Sequence, residues 1–170
     1  WLLQGTTSTA ARAGTGFAFG LGYFTAGLYW VANALLTRPE QFGWLAPLAP
    51  IGLALILAPC VILPALATRL APAGGSAQVV VFCAAWTLSE WLRGFVLTGF
   101  PWNLVGTVWT FAPPMLQLAA VLGVYGLSLV TVAAATMPSV LAGPSVPPRS
   151  AWLAVLATLV ILAACAAFGA

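Results

Sequence analysis

The sequence predicts an all-α protein, a polytopic transmembrane helix bundle of about five spans with one irregular loop on its outward side. The first observation is composition: of 170 residues, 62% are hydrophobic and only 4% are charged. A soluble domain carries about 25% charged residues, so a surface this poor in charge is typical of a chain surrounded by lipid. The second is the arrangement of the apolar residues in stretches of about 20, the length that crosses a bilayer.

The predicted spans follow one another with short connections. They are placed at 13–36, 44–68, 77–97, 114–140 and 151–168. In the first span, Gly16 and Gly20 form a small-xxx-small face that lets a neighbouring helix approach closely. Four prolines in the second span should kink it. The connection 98–113 is the only one long enough to fold by itself, and no soluble domain fits anywhere, so we expect 1–170 to be a partial transmembrane domain without a catalytic domain.

The few charges predict an orientation. Arg12, Arg69 and Arg149 fall on the side where the chain starts, whereas the opposite side carries Arg38 with Glu40 and Arg93 with Glu90. Arginine in short loops is retained in the cytoplasm. We therefore expect a cytoplasmic start, an outward-facing 98–113 loop and residue 170 leading to the periplasm. Because the chain opens with Trp1 and has no signal-peptide pattern, we also expect both ends to be cut ends.

Glu90 and Arg93 at the outer end of the third span are the first candidate site residues. Three positions apart on a helix, they lie on one face and predict a local ion pair. Ionisable residues at a membrane are costly unless they are paired or wetted. Two interpretations stay open: a clamp that anchors the following loop, or direct contact with an anionic lipid headgroup, which arginine suits through its paired donors.

The loop itself and the end of the first span supply the other candidates. Non-helical backbone at membrane depth needs a covering of protein or a water-filled cavity, so this loop should line a cavity. Phe100 and Trp102 could form the wall of an acyl-chain groove, with Asn103 offering an amide to a headgroup. Trp30 and Asn33 join them from the first span. The alternatives are an aromatic belt at the interface and, for Asn33, an interhelical hydrogen bond.

Several kinds of chemistry have no residues to support them. Cys60, Cys83 and Cys165 lie inside apolar spans without a nearby histidine or aspartate, so neither a metal site nor a disulfide framework is predicted. No serine or cysteine stands beside a base, and no phosphate-binding glycine loop is present. We expect no catalytic residue, no cofactor and, since single arginines make no basic patch, no nucleic-acid partner.

The chain resembles the apolipoprotein N-acyltransferases, bacterial inner-membrane enzymes of lipoprotein maturation. The resemblance is carried, in order, by Gly20–Phe24, Gly27–Trp30, Glu90–Gly94 and Leu97–Asn103, and it covers about 13 to 168. It implies an eight-helix membrane domain, of which this chain looks like the third to seventh helices. The family's nitrilase-like periplasmic domain, with its Glu, Lys and Cys catalytic set, has no counterpart here, because lysine is absent and every cysteine lies in a span.

That resemblance implies partners and a role. The family's cysteine takes an acyl group from a phospholipid and passes it to the amino group of the diacylglyceryl-cysteine at a lipoprotein's N-terminus. This chain would then bind lipid substrate and scaffold the catalytic domain in the bacterial inner membrane. A small transporter or channel subunit is the main alternative, with Glu90, Arg93 and the kinked span forming a permeation route, although no internal repeat supports it. A third alternative is a chain that serves only as a structural anchor for another domain.

Overall fold

The computed structural model describes residues 2–96, 99–143 and 147–169. Within them the chain is all α, with no strand, as the sequence predicts. The helices are α1 (Thr9–Gly27), α2 (Val31–Leu35), α3 (Pro39–Phe42), α4 (Leu48–Leu57), α5 (Ile62–Ala67), α6 (Ser76–Arg93), α7 (Pro113–Gln117), α8 (Ala119–Thr136) and α9 (Pro148–Phe168). Short 3₁₀ turns at 43–45, 58–61, 68–70, 105–111 and 137–142 extend or connect them.

Three segments are long and apolar enough to cross a membrane: Leu48–Leu70, Ala119–Ala142 and Pro148–Phe168. They correspond to the second, fourth and fifth predicted spans. The first and third predicted spans form helices of 19 and 18 residues, α1 and α6, in which polar side chains dilute the apolar character. That α1 and α6 also cross the membrane stays a prediction.

Helix bounds differ from the predicted spans in two places that matter for the site. The predicted span 13–36 is two helices, because α1 ends at Gly27 and the chain turns before α2. In the 114–140 span, Gly123 takes φ 68° and ψ 172°, a conformation that glycine adopts without a steric penalty and that breaks the helix. The predicted end of the third span, Leu97, lies outside the described residues.

The first helix packs closely along the α4–α5 segment through a face of residues four apart. Gly16, Gly20 and Phe24 are all buried on it. A Cβ on Gly16 would stand 2.8 Å from the Ala65 Cβ and the Val61 carbonyl oxygen, and one on Gly20 would stand 2.8 Å from the Ala58 oxygen. Only glycine permits this backbone approach. The second segment is interrupted by the 3₁₀ turn Ala58–Val61, which contains Pro59, where the missing N–H removes a helical hydrogen bond.

Neighbouring segments then follow in chain order, α5 against α6, α6 against α8, and α8 against α9. The main core lies between the α1, α4–α5, α6 and α8 segments, and a smaller one lies between α7, α8 and α9. The fold thus leaves the C-terminal ends of α1 and α6 side by side, under the loop that follows α6.

Candidate functional site

Arg93, the last residue of α6, fastens the loop 99–104 to the bundle. Its Nη1 donates to the Trp102 carbonyl oxygen at 2.7 Å and its Nη2 to the Asn103 oxygen at 3.5 Å. The backbone joins the same contact, since the Phe100 N–H donates to the Arg93 carbonyl oxygen at 2.9 Å. The guanidinium also lies over the Phe24 ring of α1, 5.1 Å from its centroid, at a distance typical of a cation–π contact.

Glu90 holds the far end of the same loop. Its Oε1 accepts from the Trp86 Nε1 at 3.1 Å and from the Val105 N–H at 2.8 Å. Glu90 and Arg93 are each only 4% exposed. The predicted local ion pair is therefore not what their hydrogen bonds form: both side chains bind the loop that passes above them, because it offers carbonyls to the cation and an amide to the carboxylate. This geometry favours the clamp interpretation.

Asn103 closes the loop onto α1 in a strained conformation. Its φ is 55°, the only positive φ of a non-glycine residue in the described part of the chain. Asparagine tolerates this region better than most residues. The Tyr23 hydroxyl donates to the Asn103 carbonyl oxygen at 2.9 Å, and the Asn103 amide packs where a Cβ on Gly27 would be 2.2 Å from its Nδ2. That buried Nδ2 has no partner among the described residues, so one amide donor is left for another molecule or for water.

Three aromatic rings form what we term the aromatic cluster: Trp30, Phe100 and Trp102. The Trp102 ring centroid is 5.3 Å from that of Trp30 and 5.3 Å from that of Phe100. Phe100 packs on the main core, while Trp102 is 54% exposed and Trp30 41% exposed. The cluster thus has a rigid base and an open apolar face.

Six of the seven predicted site residues are brought together in this way, and Asn33 is the exception. It lies exposed on α2, and none of the side-chain hydrogen bonds found among the described residues involves it. Because its side chain points away from the helix contacts, neither an interhelical bond nor a place in the loop contact is seen. Leu97 and Thr98, which belong to the quoted motif, lie outside the described residues.

An apolar groove of about 760 Å³ runs from beneath the loop along the bundle, between α1, α6 and α8. Tyr23, Trp86 and Val105 line its upper end, and these are the residues that bind Asn103 and Glu90. Phe19, Phe82 and Val132 continue it toward the opposite end. The sequence predicts a groove walled by Phe100 and Trp102, but neither residue lines this one. Tyr23 and Trp86 were not predicted, since only contacts between distant parts of the chain bring them together.

Comparison with known proteins agrees with the geometry. Residues 1–137 match the family model described as the apolipoprotein N-acyltransferase N-terminal domain. The chain belongs to the apolipoprotein N-acyltransferase family. It is 38% identical over 174 residues to the apolipoprotein N-acyltransferase of Rhodopseudomonas palustris, covering 99% of this chain and 32% of that protein.

Two other relatives with the same name give similar values. The Allorhizobium ampelinum protein is 39% identical over 150 residues, 83% of this chain and 28% of that protein. The Caulobacter vibrioides protein is 43% identical over 125 residues, 74% of this chain and 24% of that protein. The chain therefore spans about a third or less of the length of these N-acyltransferases, and it is a bacterial membrane protein of their family.

No metal centre is built from the residues that the structure describes, in which no group of three or more His, Cys, Asp and Glu side chains comes together. Cys60, Cys83 and Cys165 are free thiols on different helices. The Cys83 Sγ lies 3.5 Å from the Thr136 hydroxyl oxygen, and Cys60 lines a small cavity together with Glu90 and Arg93.

Proposed function

We propose that this chain is the lipid-binding membrane part of an apolipoprotein N-acyltransferase of the bacterial inner membrane. It would hold a phospholipid acyl donor and the diacylglyceryl-modified lipoprotein acceptor, while residues outside this chain supply the nucleophile. The observation that carries the proposal is the apolar groove ending directly beneath the clamped loop. Its volume falls within the about 300–1,000 Å³ of small-molecule sites.

The groove and the aromatic cluster would bind different parts of the lipid. An acyl chain in the groove would lie against Phe19, Phe82 and Val132, which offer no polar group that would need a partner. At the loop, the exposed Trp102 would cover the chain near its ester. The Asn103 Nδ2, which is buried and has no partner among the described residues, would turn outward to donate to a carbonyl or phosphate oxygen. Glu90 and Arg93 would act by fixing Trp102 and Asn103 in place, and Trp30 by supporting the Trp102 ring. Asn33 would contact lipid only at the edge of the site.

The topology proposed with this function is a cytoplasmic start and an outward-facing loop. Exposed Tyr29, Trp30, Trp44 and Trp102 support an interfacial position for this end of the bundle, because tryptophan and tyrosine are enriched at membrane interfaces. The cytoplasmic start rests on the arginines at the other end of the helices. The transporter alternative has no such support, because the hydrogen bonds of Glu90 Oε1 and of Arg93 hold the loop.

The acyl-chain site is tested by filling the groove. Ala18 is exposed on α1 and lines it, so Ala18→Trp should block it. Ala164→Trp, on the exposed face of α9, is the matched control. In the complete gene product, in proteoliposomes with a phospholipid donor, we expect Ala18→Trp to lower the initial rate of lipoprotein N-acylation at least tenfold and Ala164→Trp to leave it within twofold. Equal rates for the two variants at equal abundance would exclude an acyl chain from the groove.

Trp102→Ala tests the wall at the loop. Because Trp102 is half exposed, its truncation should cost little stability but remove a contact with lipid. We expect the phospholipid concentration at half-maximal rate to rise at least fivefold. Trp44→Ala, which removes an even more exposed tryptophan, should not change it. A Trp102→Ala enzyme with unaltered lipid dependence would leave the loop with a purely structural role.

A further inference from the structure

Two arginines at the end of the bundle opposite the loop lie without any acidic partner. Arg12 is on the first turns of α1 and only 7% exposed, and Arg69 is exposed in the 3₁₀ turn Thr68–Leu70. Each joins the start of α1 to the turn Thr68–Leu70: Arg12 donates from α1 to the turn, and Arg69 donates from the turn to α1. The Arg12 Nη1 donates to the Thr68 hydroxyl at 2.6 Å, and the Arg69 Nη1 donates to the Thr9 hydroxyl.

The hydrogen-bond partners found around Arg12 are neutral. The Thr68 hydroxyl donates to the Ala65 carbonyl oxygen, and the Thr68 backbone oxygen accepts from the Gln78 Nε2. Among the described residues the buried Arg12 Nε has no partner at all. A buried cation whose side-chain hydrogen bond among the described residues goes to a hydroxyl is under-compensated, and leaving a buried charge without its counter-charge is strongly destabilising.

The chain cannot supply the missing negative charge from its own side chains. Its two acidic residues are Glu40 and Glu90. Glu90 belongs to the loop site, beside Phe24 and Arg93, and Phe24 is twelve residues along α1 from Arg12, or about 18 Å at 1.5 Å per residue. Glu40 lies in α3, beyond the far end of α1. Neither carboxylate is close enough to form an ion pair with Arg12.

The backbone adds positive potential to the same place. The 19-residue α1 begins at Thr9, and Ser8 caps it by accepting from the Ala11 N–H. One cap leaves other first-turn N–H groups pointing out of the helix, where the helix dipole also favours an anion. Residues 8–11 and Arg69 are exposed, so an anion can reach them from outside.

We propose that Arg69 and the first turn of α1, above the buried charge of Arg12, bind the phosphodiester of an anionic phospholipid. Arginine's planar pair of donors fits phosphate oxygens, and basic pockets between transmembrane helices are a recognised setting for anionic headgroups. Arg69 would contact the phosphate, and Arg12 would attract it through its uncompensated charge. This site is separate from the proposed acyl-donor site, and it would stand if that function failed, because it depends on no residue of the loop or the groove.

Lipid retention by the complete gene product in non-ionic detergent tests the proposal, with bound lipid counted by native mass spectrometry. We expect phosphatidylglycerol to be retained at least tenfold better than phosphatidylcholine, and salt to weaken its binding. Inorganic phosphate at the same concentration is the third probe. If it displaced the lipid fully at equal concentration, or if both lipids were retained equally, an anionic-lipid site would be ruled out.

Variants locate the site. Arg69→Gln should reduce phosphatidylglycerol retention at least fivefold and Arg69→Lys should restore part of it, since the charge remains but the paired donors do not. The control is Arg149→Gln, which removes an exposed arginine on the same predicted side at the start of α9. Equal losses in Arg69→Gln and Arg149→Gln would mean diffuse attraction and overturn the proposal. Arg12→Gln, checked for folding by its melting temperature, should also lose retention; a folded Arg12→Gln with normal retention would contradict the role given to Arg12.

Discussion

Gly27→Ala is the most direct test of how the loop is docked on α1. The added Cβ would lie 2.2 Å from the Asn103 Nδ2, 2.7 Å from its Oδ1 and 2.8 Å from its Cγ. Since the whole amide group is too close, a small rotation cannot relieve the clash and the Asn103 side chain must change rotamer. Its backbone cannot follow, because the Asn103 carbonyl is held by Tyr23 and Arg93.

The magnitude follows from two opposing effects. Overpacking of this kind costs about 1–3 kcal/mol. Replacing a helical glycine by alanine returns about 0.5–1 kcal/mol of backbone entropy. We therefore expect Gly27→Ala to lower the free energy of unfolding by up to about 2.5 kcal/mol, the difference between these effects. Gly22→Ala is the control on the same helix, because nothing lies within 4 Å of its added Cβ, and it should raise stability by about 0.5–1 kcal/mol.

A double-mutant cycle with Asn103→Gly isolates the contact. Glycine at 103 removes the amide and accepts the φ of 55° without strain, so Gly27→Ala should become neutral or stabilising in that background. The coupling energy should be about 0.5–3 kcal/mol, the range found for residues in contact. Thermal or denaturant unfolding of the complete gene product in detergent measures all four proteins. Additive effects, or a stabilising Gly27→Ala in the wild-type background, would refute the docking of Asn103 against Gly27.

Three further variants test the remaining contacts. Glu90→Ala leaves the buried Trp86 Nε1–H and the Val105 N–H without their acceptor, so it should cost about 2–5 kcal/mol by unfolding, and an unchanged stability would contradict the hydrogen bonds of Glu90. In Arg93→Lys the lysine has no planar pair of donors, so it cannot bind the Trp102 and Asn103 carbonyls together. Limited proteolysis should therefore cut the loop several-fold faster, and an uncut loop would exclude the clamp. Gly20→Val places side-chain atoms inside the Ala58 backbone and should abolish the close α1–α4/α5 contact, seen as loss of a disulfide cross-link engineered between these segments, whereas Gly14→Val, with open space around it, should retain the cross-link.

Much of the site could be found from local sequence features. An outward loop with a proline between two aromatic residues, next to an acid and an arginine three positions apart, singled out six residues that the structure brings together. Their roles could not be found in the same way. Whether Glu90 binds Arg93 or the Val105 amide depends on where residues 102–105 pass, and a pattern of side chains along α6 contains no information on that path.

The sequence by itself determined that this is an all-α membrane protein, which helix faces are small enough to pack closely, and its family. These properties are set by hydropathy, residue size and short motifs, which act within a few helical turns. Only the tertiary structure decided that Tyr23 meets Asn103 across 80 positions, that Gly27 makes room for an amide, and that α1, α6 and α8 enclose a groove. Those contacts join segments far apart in the chain, and they form only when the packing of all the helices fixes where each backbone lies.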